Sequence, residues 1–227
     1  DGSQVTIAQH VANGMLLHVI RTRTIIVAAG ATERPLVFAN NDRPGVMLSR
    51  AVRTYVRRFG VVPGRRVVIA TNNDDAYLTA QALREAGVEV TAILDARPQP
   101  AGKDSGFFVW NETVPISARG NARKIKGIVA QWEREVGYFP CDLIAVSGGF
   151  TPVAHLHMQA GGTLSWDEVA QAFVPAASPQ NVTTIGGAAS PNPIHNAPPA
   201  GDPAKSFVDF QNDVTLADID LAWAEGY

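Results

Sequence analysis

The sequence predicts an α/β chain containing a parallel sheet and an antiparallel meander. Two observations carry this. A strand, a helix and a second strand follow one another within residues 65–97, the spacing of a βαβ unit, which requires a parallel pair joined by a right-handed crossover. Short apolar runs also end repeatedly in small residues, after Ala28, Ala70, Val146 and Ile185. A buried strand closed by glycine lets backbone approach a ligand at the carboxyl edge of a sheet.

In chain order, residues 1–23 read as weakly patterned and turn-rich, with Asn13-Gly14 suggesting a hairpin. Thr24–Gly30 is a buried strand entering a glycine turn, and Pro44-Gly45 closes a polar turn. A helix is expected from about Met47 to Phe59, with Ser49 a candidate N-cap and Gly60 the stop. Its Arg50, Arg53, Arg57 and Arg58 fall largely on one side, read as a solvated face with a subunit contact as the alternative. Then come strand Arg66–Ala70, helix Asp74–Ala86 and strand Glu89–Leu94 closed by Asp95. Ala76, Leu78, Ala80, Ala82 and Leu83 are expected to face the sheet. Phe107–Trp110, Lys126–Gln131 and Gly137–Cys141 suggest the meander, and Asp142–Val146 and Val182–Ile185 two further buried strands. Pro191–Pro203 is a Pro- and Ala-rich loop, and Thr215 to Asp218 reads as a capping box opening a terminal helix.

Composition narrows the function. The 227 residues carry a net charge of −2, so no basic footprint points to nucleic acid or an anionic membrane. One cysteine excludes a disulfide framework and a multi-cysteine metal or iron–sulfur site within the chain. No apolar run approaches the roughly 20 residues of a membrane span. Charged residues are 18%, below the roughly 25% usual for soluble domains, which suggests surface meant for other domains or subunits. The absence of an initiator Met and of a signal-peptide pattern suggests a segment of a longer polypeptide, expected to be cytoplasmic. No nucleophile, general base or metal cluster stands out, so no catalytic and no metal residues are assigned. His155-x-His157 reads as a loop or surface pair and Cys141 as an inert core thiol.

Ala28-Ala29-Gly30-Ala31-Thr32-Glu33-Arg34-Pro35 resembles the A-T-G-x-x-x-x-P segment of two-dinucleotide-domain flavoprotein reductases. Residues Ala31–Leu48, Thr71–Tyr77 and Phe207–Thr215 are similar, more narrowly, to the α subunit of heterotetrameric sarcosine oxidase. The resemblance covers the chain from about residue 24. It implies a Rossmann-like fold with two dinucleotide-binding domains: residues 1–60 and 150–205 forming part of the first, 61–149 an inserted Rossmann-like domain, and 206–227 a helix leading to a further domain. It also implies part of an amine oxidoreductase that demethylates sarcosine, with NAD on this subunit. FAD belongs to a flavin-bearing β subunit, FMN sits between the two, and smaller subunits complete the hetero-oligomer. Related subunits place iron–sulfur cysteines near Asp209-Phe210-Gln211, which cannot ligate a cluster.

Under that resemblance Ala29, Gly30, Gly186, Gly187, Ala188 and Ala189 would wall the NAD site. Where flavin-binding relatives carry an acid after the last glycine, this chain has Gly187 followed by Ala188-Ala189. At the βαβ turn the fingerprint glycine positions fall on Thr71, Asn73 and Ala76, with Asp95 where an acid would bind a ribose. Asp74 and Asp75 are expected to satisfy the helix N-terminus and repel a pyrophosphate, leaving Thr71, Asn73 and Asp95 a weak second site. The alternatives are a non-catalytic scaffold with a vestigial dinucleotide fold, a subunit of an opine- or proline-oxidising flavoprotein, and a stand-alone NAD(P)H reductase, which the missing glycines disfavour.

Overall fold

The computed structural model describes residues 3–100, 106–178 and 181–227. The first strands are β1 (Ser3–Val11), β2 (Gly14–Thr22), β3 (Ile25–Val27), β4 (Ala31–Glu33) and β5 (Val46–Leu48). Helix α1 (Ser49–Phe59), β6 (Arg66–Thr71), helix α2 (Asp75–Glu85), β7 (Glu89–Asp95) and β8 (Val109–Trp110) follow. Next are β9 (Thr113–Gly120), β10 (Ile125–Trp132), β11 (Glu135–Pro140), β12 (Leu143–Ser147) and β13 (Phe150–Pro152). The chain ends with helix α3 (His155–Gln159), β14 (Leu164–Asp167), β15 (Ala172–Pro175), β16 (Val182–Thr184), β17 (Phe207–Asp209), β18 (Val214–Thr215) and helix α4 (Leu216–Glu225). Two compact units result: residues 1–32 with 150–192, and residues 33–149 with 193–227.

The larger unit is built on a parallel sheet in the order β5-β12-β6-β7-β8. Its central strands are apolar on both faces because both faces are covered. Val68, Ala70, Ala92, Leu94, Ile144 and Val146 face one layer, with Ala118, Ile128 and Ala130 of the meander. Val67, Ile69, Ile93, Leu143 and Ala145 face the other, against Val52 of α1 and Ala76, Ala80 and Leu83 of α2. Adjacent residues thus serve opposite cores, as the two-residue strand period requires.

Several sequence expectations change here. Phe107–Trp110 does not open the meander: Val109 and Trp110 extend the parallel sheet beside Ile93 and Leu94. The first meander strand is β9, missed because Pro115 interrupts it; proline is tolerated there since β9 is the edge of the β11-β10-β9 sheet. β5 pairs in parallel with β12, so residues 46–59 lie in the larger unit. Leu78 faces away from the sheet and is 52% exposed.

Helix α1 begins at Ser49 without a side-chain cap from its own N-cap residue. Ser49 instead donates its hydroxyl to Thr79 Oγ1 at 2.8 Å. The arginine face is only partly solvated. Arg50 and Arg53 both pair with Asp75, at 3.1 and 2.9 Å, and Arg57 with Glu85 at 3.1 Å, so this face joins α1 to α2.

In the smaller unit, β1 and β2 form a nine-pair hairpin across the predicted Asn13-Gly14 turn. Its strands escaped the sequence reading because apolar residues sit on both faces, Ile7 and Leu16 on one and Leu17 and Val19 on the other. That leaves β2 without a hydrophobic alternation to detect. β3 pairs in parallel with β16. At the other end of the chain, the capping box forms as predicted: Thr215 Oγ1 accepts from the Asp218 N–H, and the Thr215 N–H donates to Asp218.

Candidate functional site

β3 and β16 run side by side in register from Ile25 opposite Val182 to Val27 opposite Thr184. One further ladder bond, Ile185 N–H to Val27 O at 2.9 Å, carries them to a common carboxyl end. Two small-residue turns emerge there. Gly30 has φ 74° and Gly186 φ 65°, backbone conformations that exclude most side chains. A Cβ added at either would meet no neighbouring atom within 4 Å. The turns touch each other, since a Cβ on Gly187 would lie 3.5 Å from the Ala31 methyl. The Gly186 carbonyl accepts from the N–H groups of Ala189 and Ser190, which fixes the second turn.

The structure therefore brings Ala29, Gly30, Gly186, Gly187 and Ala189 to one edge of one unit. Ala188 is different. Its side chain is fully buried, so it packs inward and lines no open wall. Residues 24–32 and 182–192 carry no charged side chain.

The other glycine turn after a strand, Gly148-Gly149, serves the chain itself. A Cβ on Gly148 would collide with the Pro35 carbonyl, and one on Gly149 would stand 2.8 Å from Ile194 Cγ2. Backbone bonds of 2.8 Å from Gly148 to Arg34 and from Arg34 to Gly149 hold that contact.

Thr71, Asn73 and Asp95 lie at the ends of β6 and β7, all buried, and each is already engaged. The Asn73 N–H donates to Thr71 Oγ1, whose hydroxyl in turn donates to the Asn73 carbonyl. Asn73 Nδ2 donates to the carbonyl and hydroxyl oxygens of Ser147, both at 3.1 Å. Asp95 accepts from the Tyr77 hydroxyl at 2.8 Å and from three nitrogens of Arg97 at 2.8–3.0 Å. Burial beside that carboxylate raises the Tyr77 pKa, and bonds to Asp95 and Asp74 outweigh burial in raising that of Arg97.

The expected role of the acids at this turn is corrected. Asp74 makes no cap and pairs with Arg97. Asp75 is neutralised by Arg50 and Arg53, and it is Asn73 Oδ1 that accepts the first-turn N–H, from Asp75. The polar groups of this turn are thus taken up by the chain's own side chains, and both acids are paired with arginines.

Two residues escaped the sequence reading. Glu33 is 7% exposed and accepts the Arg50 N–H at 2.8 Å, thereby capping α1. Burial raises its pKa, opposed by that bond and by the Ser147 hydroxyl, and its Oε1 has no hydrogen-bond partner. Asn72, also buried, bonds to His195 and Gly148. Their signal was weak, since a lone Glu and one of two adjacent Asn residues carry no periodic pattern.

His157 is likewise buried rather than on the surface. Its ring nitrogens meet the Thr163 carbonyl at 3.0 Å and the Thr184 hydroxyl at 3.3 Å, while His155 is exposed. The Cys141 thiol is buried and its pKa is pushed up to about 12, chiefly by desolvation. No helix among the described residues is long and apolar enough to cross a membrane.

A scan against known protein families finds no match. The sequence is 35% identical over 264 residues to the sarcosine oxidase α subunit of Rhizobium meliloti, covering 97% of this chain and 26% of that protein. It is 41% identical over 174 residues to the α subunit from Corynebacterium sp. strain P-1, covering 71% of this chain and 18% of that protein. Among solved structures, L-proline dehydrogenase from P. horikoshii superposes with a TM-score of 0.70 at 15% identity, over 99% of this chain and 52% of that one. At that identity the likeness is one of fold alone. The chain spans about a quarter of the length of the first relative. It is a homologue of sarcosine oxidase α subunits, matched over that segment.

Proposed function

We propose that this chain is the nucleotide-binding part of the α subunit of a sarcosine-oxidase-like amine oxidoreductase. NAD would lie against the carboxyl ends of β3 and β16, at Ala29, Gly30, Gly186, Gly187 and Ala189. The observation carrying this is the pair of open glycine turns at Gly30 and Gly186 on adjacent parallel strands. Glycine at 148 and 149 is explained by chain packing, whereas neither Gly30 nor Gly186 has a neighbour to make room for. The residues fit such a group: the backbone at Gly30 and Gly186 is open to approach, and neither turn segment carries a carboxylate to repel a pyrophosphate. Bound nicotinamide would supply hydride-accepting chemistry; this chain's residues bind and orient.

The identity to sarcosine oxidase α subunits supports a demethylating holoenzyme with sarcosine as substrate. Amine oxidation, FAD and FMN then belong on or beside a flavin-bearing β subunit, with smaller subunits completing the assembly. The inserted turn at Thr71, Asn73 and Asp95 is read as structural and free of nucleotide.

The test uses the full-length subunit purified with its partners. Nucleotide released on denaturation should include NAD in stoichiometric amount. Gly187→Val should lower it at least tenfold without changing flavin content, because Gly187 has an ordinary φ and can accept a side chain. A preparation devoid of NAD, or one whose NAD is indifferent to this substitution, would refute the assignment.

A further inference from the structure

Residues 193–199 have no regular secondary structure, yet they are held at a particular place. The His195 N–H donates to the Asn72 carbonyl at 3.2 Å, and Asn72 Nδ2 donates to the His195 carbonyl at 2.9 Å. One residue thus grips both polar groups of another. Asn72 directly follows β6, and its Nδ2 also lies 3.5 Å from the Gly148 carbonyl, just past β12. β6 and β12 are neighbours, and the chain leaves β6 toward β7 on one side while β5 flanks β12 on the other. This is the topological switch point of the sheet, the crevice in which open α/β sheets hold ligands.

A second hold reinforces the first. Ile194 packs where a Cβ on Gly149 would stand, 2.8 Å from its Cγ2. Ala197 packs against the apolar cluster containing Leu36 and Phe38. Pro193, Pro198 and Pro199 restrict the segment when it is released, which lowers the entropy lost on seating it. Beneath it, Asn73 and Ser147 bridge the two strand ends independently of the loop.

We propose that residues 193–199 are a built-in strap that closes the switch-point crevice of the five-stranded sheet. The His195 peptide takes the Asn72 hydrogen bonds that the amide or hydroxyl groups of a ligand would otherwise take. The sheet beneath is joined by its own Asn73–Ser147 bonds, so the strap opens as a local event without unfolding β6 or β12.

Amide hydrogen exchange on the full chain tests this. In the unmodified protein the His195 amide should be protected. Asn72→Ala and Ile194→Ala should each speed its exchange at least tenfold, while amides of Val68 and Ile144 stay within twofold. Ile194 lies on the loop, so its variant tests the strap even where Asn72→Ala fails to fold. A His195 amide exchanging at the free-peptide rate would overturn the proposal. So would variants without effect on it, or variants that loosen β6 and β12 as much as the strap.

Discussion

Asp95 offers the sharpest test of whether the βαβ unit is a binding site or a structural one. Its carboxylate is fully buried, and Arg97, whose side chain is 16% exposed, covers it with two guanidinium bonds of 2.8 and 3.0 Å. Arg97→Ala would leave that charge inside without its cation, a loss of about 3–5 kcal/mol for a buried pair broken from one side. Tyr77→Phe removes one hydrogen bond to the same carboxylate, and with Arg97 in place the cost should be nearer 1.5 kcal/mol. Arg57–Glu85 is the internal control: the same chemistry at 3.1 Å, but with both side chains more than half exposed. Arg57→Ala should cost less than about 1 kcal/mol. Urea titrations followed by circular dichroism, with Trp110 and Trp132 reporting on this unit, rank the three. In the assembled enzyme, Asp95→Asn should leave bound NAD unchanged. Equal losses for Arg97→Ala and Arg57→Ala would refute the burial argument. Loss of NAD from Asp95→Asn without loss of stability would restore Asp95 as a ribose ligand.

Further expectations concern single groups. Burial raises the Glu33 pKa above its ordinary 4.5, so as pH rises past that value the unfolded chain releases its proton first. The folded state then binds more protons, and stability falls with rising pH until Glu33 itself ionises. Glu33→Gln keeps an acceptor for Arg50 and should flatten that slope in melting curves from pH 4 to 8; parallel slopes would contradict it. Cys141 should resist iodoacetamide at pH 8 and react only after unfolding, since its thiol pKa is pushed up to about 12. Thr215→Ala removes a formed capping box and should cost α4 about 1 kcal/mol, read as roughly fivefold faster exchange of its amides.

The elements legible in the sequence were those with one dominant physical demand. β6, α2 and β7 were readable because both faces of the sheet are covered, which forces unbroken apolar strands and a small-residue helix face. The capping box at Thr215 and Asp218 was readable because it is local. What escaped depends on partners distant in sequence. The solvent-facing reading of α1 holds for Arg57 and Arg58 but misses Asp75, 25 residues beyond Arg50, which takes two of its arginines. The glycine turns all looked alike. Only their surroundings separate Gly30 and Gly186, with free space beside them, from Gly148 and Gly149, with Pro35 and Ile194 against them.

That separation bears on why a chain with a Rossmann-like sheet need not use it. At the end of β6 the fingerprint glycines are replaced by Thr71 and Asn73, and the replacements do not merely obstruct. They bond to each other and to Ser147, and Asn73 supplies the acceptor that the first turn of α2 requires. Restoring a glycine at 73 would remove the side-chain hydrogen bonds to Ser147, to Asn72 and from the Asp75 N–H before making room for a phosphate. A buried donor or acceptor left unmatched costs about 1–3 kcal/mol, so reversion is opposed by stability as well as by geometry. At Gly30 and Gly186 the balance is reversed. There the positive φ itself selects glycine, and the space beside each turn leaves its backbone open to approach. Under the assignment proposed above, a bound nucleotide would occupy that space.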